Sequence, residues 1–522
     1  MNKSNGNDGR IMLTRRQFGA AVGGAALLTA AGLRMDEARA AETPKRGGVV
    51  RIGMHSQSTN DTFDSAKFTF SNDYIRGTCF YNTLTVPGVD LKPRPSLAES
   101  WEPSNGGKRW VFKIVKGVRF HDGSPLTFED IAFSILRHKD EALGSVAKGL
   151  SENIVDVIKL GPDTVAIDLA HPNADFPIII GTFQYMIVKN GTTDFSKPNG
   201  TGPFRLKEFN PGVLTSGERN PDYWREGRPY VDGFEMRYIV DPVARVNALL
   251  AGDVDMISDV KGTGVDEVEN SPNTLLLKAP SARYTVMQSS IDMSPMDNHD
   301  LRLAMNYLID RDRVLKTVLK GNGAIANDHP FMPTSEYYNS SLEQRSLDHD
   351  RAKYHLKRAG IGTKAVDLHV SEATPFSIDI GQMMQREASL AGLNLNLKRE
   401  PADSYFNTIC GKRAFYANGL NPRPSYSMLL GLTWKSNVPW NYSHYNSAEL
   451  DKLIDRSGAT LDEAERTEIF HDIQKIIYDI GCYTVPCFIN FVDGISKKVK
   501  GLEPIPLGNL NGFNFADNVW LD

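Results

Sequence analysis

Ser96-Leu97-Ala98-Glu99-Ser100-Trp101-Glu102-Pro103-Ser104, continuing through Phe112-Lys113-Ile114 to Val118-Arg119-Phe120-His121-Asp122-Gly123-Ser124-Pro125-Leu126-Thr127, is the stretch whose reading decides the fold. Trp101 to Val115 reads as a hairpin. Asn105-Gly106-Gly107 supplies residues that tolerate positive φ, and Trp110, Phe112 and Ile114 alternate with Val111 and Lys113 to make one face apolar. His121-Asp122-Gly123 is a second turn, with the Asp-Gly chemistry that turns use. Thr127-Phe128-Glu129-Asp130 resembles a capping box, with Asp where Glu is usual, and opens a helix to about Arg137.

The same alternation continues on both sides. Upstream, Gly47 to Gly53 reads as a buried strand, His55 to Ala66 as a polar loop, and Ser71 to Leu84 as a helix. Downstream, Asp163 to Leu169 is a strand and Gly200-Thr201-Gly202 a loop leading into another. Asp241 to Ala251 is a helix closed by Gly252. Asp300 is placed to cap the helix Leu301 to Leu308. Ser377 to Ala391 is a helix stopped by Gly392, and Leu393, Leu395 and Leu397 mark the strand after it. Asp462 to Ile480 is the clearest helix, with Ile469, Ile473, Ile476 and Ile480 on one stripe, and Val485 to Val492 is a strand. Helices alternating with strands throughout imply an α/β protein with mixed sheets.

The chain has 522 residues, 59 basic and 63 acidic, for a net charge of −4. With neither a basic excess nor a basic stripe, a nucleic-acid partner is not expected. At 41% hydrophobic and 23% charged residues it has the balance of a soluble protein with a real core. Four cysteines exclude a disulfide scaffold, and Cys79, Cys410, Cys482 and Cys487 lack zinc-ribbon spacing. An exported chain could join Cys482 to Cys487. Residues 1–40 read as an address label: Arg15-Arg16 precedes a weakly apolar Gly/Ala-rich run, and Ala38-Arg39-Ala40 is a cleavage site, as in a twin-arginine signal. Its loss removes six basic and three acidic residues, leaving the mature chain at −7. No run of strongly apolar residues is long enough to span a membrane, and no cysteine follows the cleavage site to carry a lipid anchor.

The quoted stretch resembles the large peptide/nickel/opine-type solute-binding proteins of ABC importers, extracellular family 5, with Phe128 and Ile131 in place of the usual Ala and Val. Four further blocks agree in order: Gly200-Thr201-Gly202-Pro203-Phe204, Arg219-Asn220-Pro221-Asp222-Tyr223-Trp224, Ala248 to Asp255, and Asp300 to Asp310. The resemblance implies a bilobed α/β clamp, of the class II periplasmic-binding-protein type. Lobe one would span 41–280, with an inserted subdomain at about 85–198. Lobe two would span 281–484, and 485–522 would return to lobe one. It also implies a monomeric periplasmic receptor with no cofactor or resident metal and no catalytic residue. Its partners would be a small-molecule ligand and an ABC permease with cytoplasmic ATPases, with no membrane insertion of its own. A nickel-chelate receptor, with His444 near the cleft, and an oligosaccharide receptor are alternatives. From a different class, so is a secreted α/β enzyme, although no G-x-S-x-G, H-E-x-x-H or P-loop occurs.

Peptide-binding members pair an aspartate of a lobe-two loop with the ligand's amine. Here that loop is Asn418-Gly419-Leu420-Asn421-Pro422-Arg423-Pro424-Ser425-Tyr426, with no acid and one arginine between prolines. A buried ammonium without a carboxylate is costly, whereas a guanidinium fork matches a carboxylate. Arg423 is therefore expected to clamp an acidic group. Ser58, Thr59 and Asn60 after the first strand, Tyr185, Asn418, Asn421, Tyr426, Trp434 and Trp440 are the other expected ligand contacts.

Overall fold

The computed structural model describes residues 43–56 and 58–522. The twin-arginine segment and its cleavage site at 38–40 lie outside the described residues. Lys45 to Asp522 forms one compact unit. Its backbone is a twelve-stranded mixed sheet. In one half, Val49–Met54 lies parallel to both Gly233–Tyr238 and Met256–Ile257, and the hairpin Phe204–Asn210 and Leu214–Arg219 closes the edge. In the other half, Val366–Val370 lies parallel to Leu395–Arg399 and to Phe415–Leu420.

Two long antiparallel strands join the halves. Thr274–Ser289 pairs with Cys487–Ser496 from Thr274 opposite Ser496 to Ala279 opposite Phe491. The register then shifts, and pairing resumes with Arg283 opposite Ile489. From Tyr284 onward the first of these strands also pairs with Phe415–Leu420. The expected strand at Val485 to Val492 is thus one of the two crossings, shifted by a few residues.

A separate four-stranded antiparallel sheet is built around the quoted stretch: Ala98–Ser104, Arg109–Ile114, Thr164–Leu169 and Ile154–Lys159, in that order. Helix Phe128–Leu136 follows, opened by the expected capping box: the Thr127 amide donates to Asp130 Oδ2 at 2.8 Å, and the Asp130 amide to Thr127 Oγ1. Trp110, Phe112, Ile131, Ile135 and Ile167 form its core.

Some local expectations are corrected. Asn298, not Asp300, caps helix His299–Tyr307; Asp300 instead binds His355 at 2.8 Å and Arg358 at 3.1 Å. The helix at 71 ends at Phe80 because the glycine loop backs onto it: Gly202 N donates to Phe80 O at 2.9 Å. A Cβ on Gly200 would sit 2.1 Å from that oxygen, and one on Gly202 would sit 2.3 Å from the Phe80 carbonyl carbon. Close backbone contact explains the two glycines. In helix Glu463–Ile480 the buried face is Ile469, Phe470, Ile473 and Ile477, with Ile476 and Ile480 at its margin.

Gly202→Ala forces backbone apart in a packed core and should cost about 1–3 kcal/mol, read as a lower urea midpoint at unchanged slope. A second expectation concerns acid. His138 and His329 are fully buried, and burial pushes both rings down to about 4. Between pH 6.5 and 4 the unfolded chain takes up protons that the native chain refuses, so stability falls as pH drops through that window. Melting temperature should decline there, and less in a His138→Gln, His329→Gln double variant.

Candidate ligand-binding cleft

Two cavities flank the crossing strands. The larger, about 790 Å³, is walled by three separate parts of the chain: 89–93, Trp101, Trp110 and 174–178 around the small sheet; 332–337, 423–429, Glu463 and Arg466 in the second half; and Pro504 and Pro506 near the C-terminus. Pro280 and Ala282 of the first crossing strand form its floor. The wall is mainly apolar, with Leu91, Trp101, Met332, Tyr337 and Tyr426 among its residues, the usual make-up of a small-molecule site.

Arg423 lies in this wall. Strand Phe415–Leu420 delivers the loop, buried Pro422 and Pro424 fix φ on either side, and Ser425 caps the helix Tyr426–Thr433 that follows. The half-buried guanidinium donates from Nη1 to the carbonyls of Asn421 and Pro422, each at 3.2 Å, and lies 5.7 Å from the Trp440 ring centroid. Burial pulls its pKa down, while the phenols of Tyr74 and Tyr284 act the other way. Among the described residues no carboxylate comes within ion-pair distance of it. A guanidinium has five N–H donors, so most of this one remains available.

The remaining charged groups on the wall all have protein partners. Asp90 pairs with Arg94 at 2.8 Å and Lys92 with Glu336 at 3.2 Å. Asp175 pairs with Arg466 at 2.5 Å, and Glu463 accepts from the Tyr337 hydroxyl at 2.7 Å. Asp175 and Arg466 are both almost fully buried and tie the small-sheet region to the second half. Ser427 also donates to Asp175, and Ala174 N donates to Gly458 O at 2.7 Å. Residues about three hundred positions apart meet here, which sequence spacing could not announce.

The expected contact residues divide. Tyr426 lines the cavity, its ring stacked on Phe331 at 4.3 Å and its hydroxyl accepting from Met332 N. Trp440 is 45% exposed beside Arg423. Asn421 is exposed and contributes its carbonyl to Arg423. The structure places the other six away from both cavities. Tyr185 is buried in the small-sheet core, its hydroxyl 2.7 Å from Ser151 Oγ. Trp434 is buried against Tyr483. Asn418 is buried and donates to Gln288 at 2.9 Å. Ser58, Thr59 and Asn60 line neither cavity; next to them, Asp61 pairs with buried Arg76 at 3.1 Å.

The smaller cavity, about 410 Å³, lies between 259–265 of the first half and 318–322 and 371–379 of the second. Arg283 of the first crossing strand lines it. Among the described residues no group of three His, Cys, Asp or Glu is placed to hold a metal; His444 pairs with Asp292 at 2.7 Å. The four cysteines are free thiols. No helix among the described residues is long and apolar enough to cross a membrane.

Comparison with known proteins agrees with this architecture. Residues 92–449 match the family described as bacterial extracellular solute-binding proteins, family 5. The glutathione-binding protein GsiB of Shigella boydii is 25% identical over 487 residues, covering 90% of this chain and 93% of that one. The dipeptide-binding protein of Escherichia coli is 24% identical over 497 residues, covering 87% and 92%. The solved structure of the ABC transporter-associated periplasmic binding protein DppA from Helicobacter pylori, with a bound peptide, superposes with a TM-score of 0.77 at 23% identity, covering 91% of this chain and 98% of that one.

Arg466→Met would leave Asp175 without its charged partner, a large loss for a buried pair. We expect the unliganded variant to show a larger radius of gyration in small-angle X-ray scattering. Lys92→Gln, which breaks an exposed pair worth at most about 1 kcal/mol, should leave the radius unchanged.

Proposed function

Because the chain belongs to the bacterial extracellular solute-binding proteins of family 5, we propose that it is the periplasmic receptor of an ABC importer. It captures a small solute bearing a carboxylate or similar acidic group and delivers it to a permease with cytoplasmic ATPases. The observation that carries this reading is Arg423, the one charged group on the wall of the larger cavity that no side chain among the described residues hydrogen-bonds or ion-pairs. A cation held in a largely apolar cavity favours an anionic ligand.

The same wall argues against an ordinary peptide with a free amine. Each of its four acids already has a protein partner, so an ammonium placed there would share its carboxylate with another donor. The glutathione- and dipeptide-binding relatives support a peptide-like scaffold. The acidic end, and not the amine, is then the anchored end. We assign lobe one to 41–280 with its inserted subdomain at about 85–198, lobe two to 281–484, and the return to 485–522. The crossing strands at Thr274–Ser289 and Cys487–Ser496 support this division. The twin-arginine segment would deliver the chain to the periplasm, where it acts as a monomer. We read it as a receptor, not a secreted enzyme, because the family it matches is described as solute-binding.

A thermal-shift screen tests the reading. A ligand at about 100 times its Kd adds about 2.7 kcal/mol to the native state. Carboxylated conjugates and N-acylated peptides should raise the melting temperature, and Arg423→Gln should weaken the best of them about 10- to 100-fold, the worth of a charge-assisted hydrogen bond. Unchanged affinity in Arg423→Gln, or stabilisation by free-amine peptides alone, would overturn it.

A further inference from the structure

Away from Arg423, the wall of the larger cavity has spent much of its hydrogen-bonding capacity within the protein. Six of its residues, Pro93, Pro177, Pro280, Pro424, Pro504 and Pro506, are prolines, and a proline has no N–H to offer. The amides of Leu91, Ala174, Ile178, Met332 and Tyr337 already donate to protein acceptors. The Tyr337 hydroxyl donates to Glu463 at 2.7 Å, and the Ser425 hydroxyl accepts from the Met428 amide at 3.1 Å. A carbonyl taken out of water without a donor is costly. A peptide backbone laid along this wall would therefore give up hydrogen bonds that water supplied.

What the wall presents instead is carbon. Trp101 stands opposite Phe112 and Trp110 opposite Pro103, so the two indoles share one face of the small sheet as diagonal neighbours. The Trp110 N–H donates to the Asn173 carbonyl at 3.0 Å, which occupies the one polar atom of that ring. Leu91 is the more telling residue. It sits in a tight turn, where the Gly88 amide donates to the Lys92 carbonyl at 2.9 Å, and its φ is 59°. Glycine or asparagine adopts this left-handed backbone cheaply, and leucine does not. The chain nonetheless keeps a leucine there, packed on the core of the first half and lining the cavity. Strained backbone of this kind gathers at ligand clamps.

We propose that the acidic group of the ligand is joined to a bulky apolar body, as in an N-acylated amino acid, with Arg423 holding the acid and Leu91 and Trp101 holding the body. The proposal rests on the reading of Arg423 given above and narrows it. All three residues line the same cavity, whose volume of about 790 Å³ is that of a site enclosing most of a drug-sized molecule. A lone acid would leave most of it to water. An acyl chain gains free energy by leaving water and asks no hydrogen bond of the prolines.

Isothermal titration of the protein with N-acetyl-, N-pentanoyl- and N-octanoylglycine tests this, with N-acetylglycylglycine and N-acetyltriglycine as polar acids matching the two longer ones in length. Affinity should rise about fourfold for each methylene that leaves water, and N-octanoylglycine should bind at least about tenfold more tightly than N-acetyltriglycine. Trp101→Ala should lower that advantage several-fold. So should Leu91→Asn, which suits the left-handed turn and so spares the fold. Arg423→Gln should weaken every acid by a similar factor and leave the rise with chain length in place. A series flat in chain length, or glycine peptides that bind as tightly as the acyl acids, would overturn the apolar body, while binding sensitive to Arg423→Gln would keep the acid clamp. A rise with chain length untouched by both Leu91→Asn and Trp101→Ala would overturn the assignment of the wall. If none of these acids binds, both readings fall.

Discussion

The two crossing strands, Thr274–Ser289 and Cys487–Ser496, are the constraint on which the rest of the structure depends. They stay hydrogen-bonded to one another while passing from one half of the sheet to the other. Each half can therefore pack its own core without losing its connection to the other. The register shift between Ala279 and Arg283 falls at the passage itself. An irregularity there lets the strand bend and turns neighbouring residues to different sides: Ala282 lines the larger cavity and Arg283 the smaller. A regular ladder at this point would have made one continuous wall, not two.

Charge matching gives the larger cavity its chemistry. Seven charged residues line it, and six are occupied by protein partners. Selectivity there is as much a matter of what has been used up as of what is offered. The seventh residue is kept in place by two flanking prolines and its own loop carbonyls, an arrangement that fixes the arm without neutralising its head.

Local features were the most legible from sequence. Asn105-Gly106-Gly107, the Thr127–Asp130 box, and Gly252 and Gly392 as helix stops depend on neighbours within a few residues, and the structure has them where patterning puts them. The cap at Asn298 was missed because Asp300 was equally good by type; tertiary demand from His355 and Arg358 took the aspartate. Aromatic residues were hardest to place. Tyr185, Trp434 and Trp440 look alike as cleft candidates, and only packing makes two of them core and leaves one at the surface. Arg423 was visible through the absence of an acid in its loop. Arg283 was not, because a single basic residue in an alternating strand reads as an ordinary solvent-facing position, and its place on a cavity wall exists only once the chain is folded.

The buried tie between Asp175 and Arg466 has a consequence for how a load is given up. Its two carriers come from different walls of the larger cavity and meet there, so opening that side means parting two charges that no longer have water to receive them at once. Whatever closure the protein supplies in this way need not come from the ligand, which retains it as tighter holding. The same contribution slows escape. Unloading would then mean work done on that tie from outside, such as docking on a membrane partner would supply.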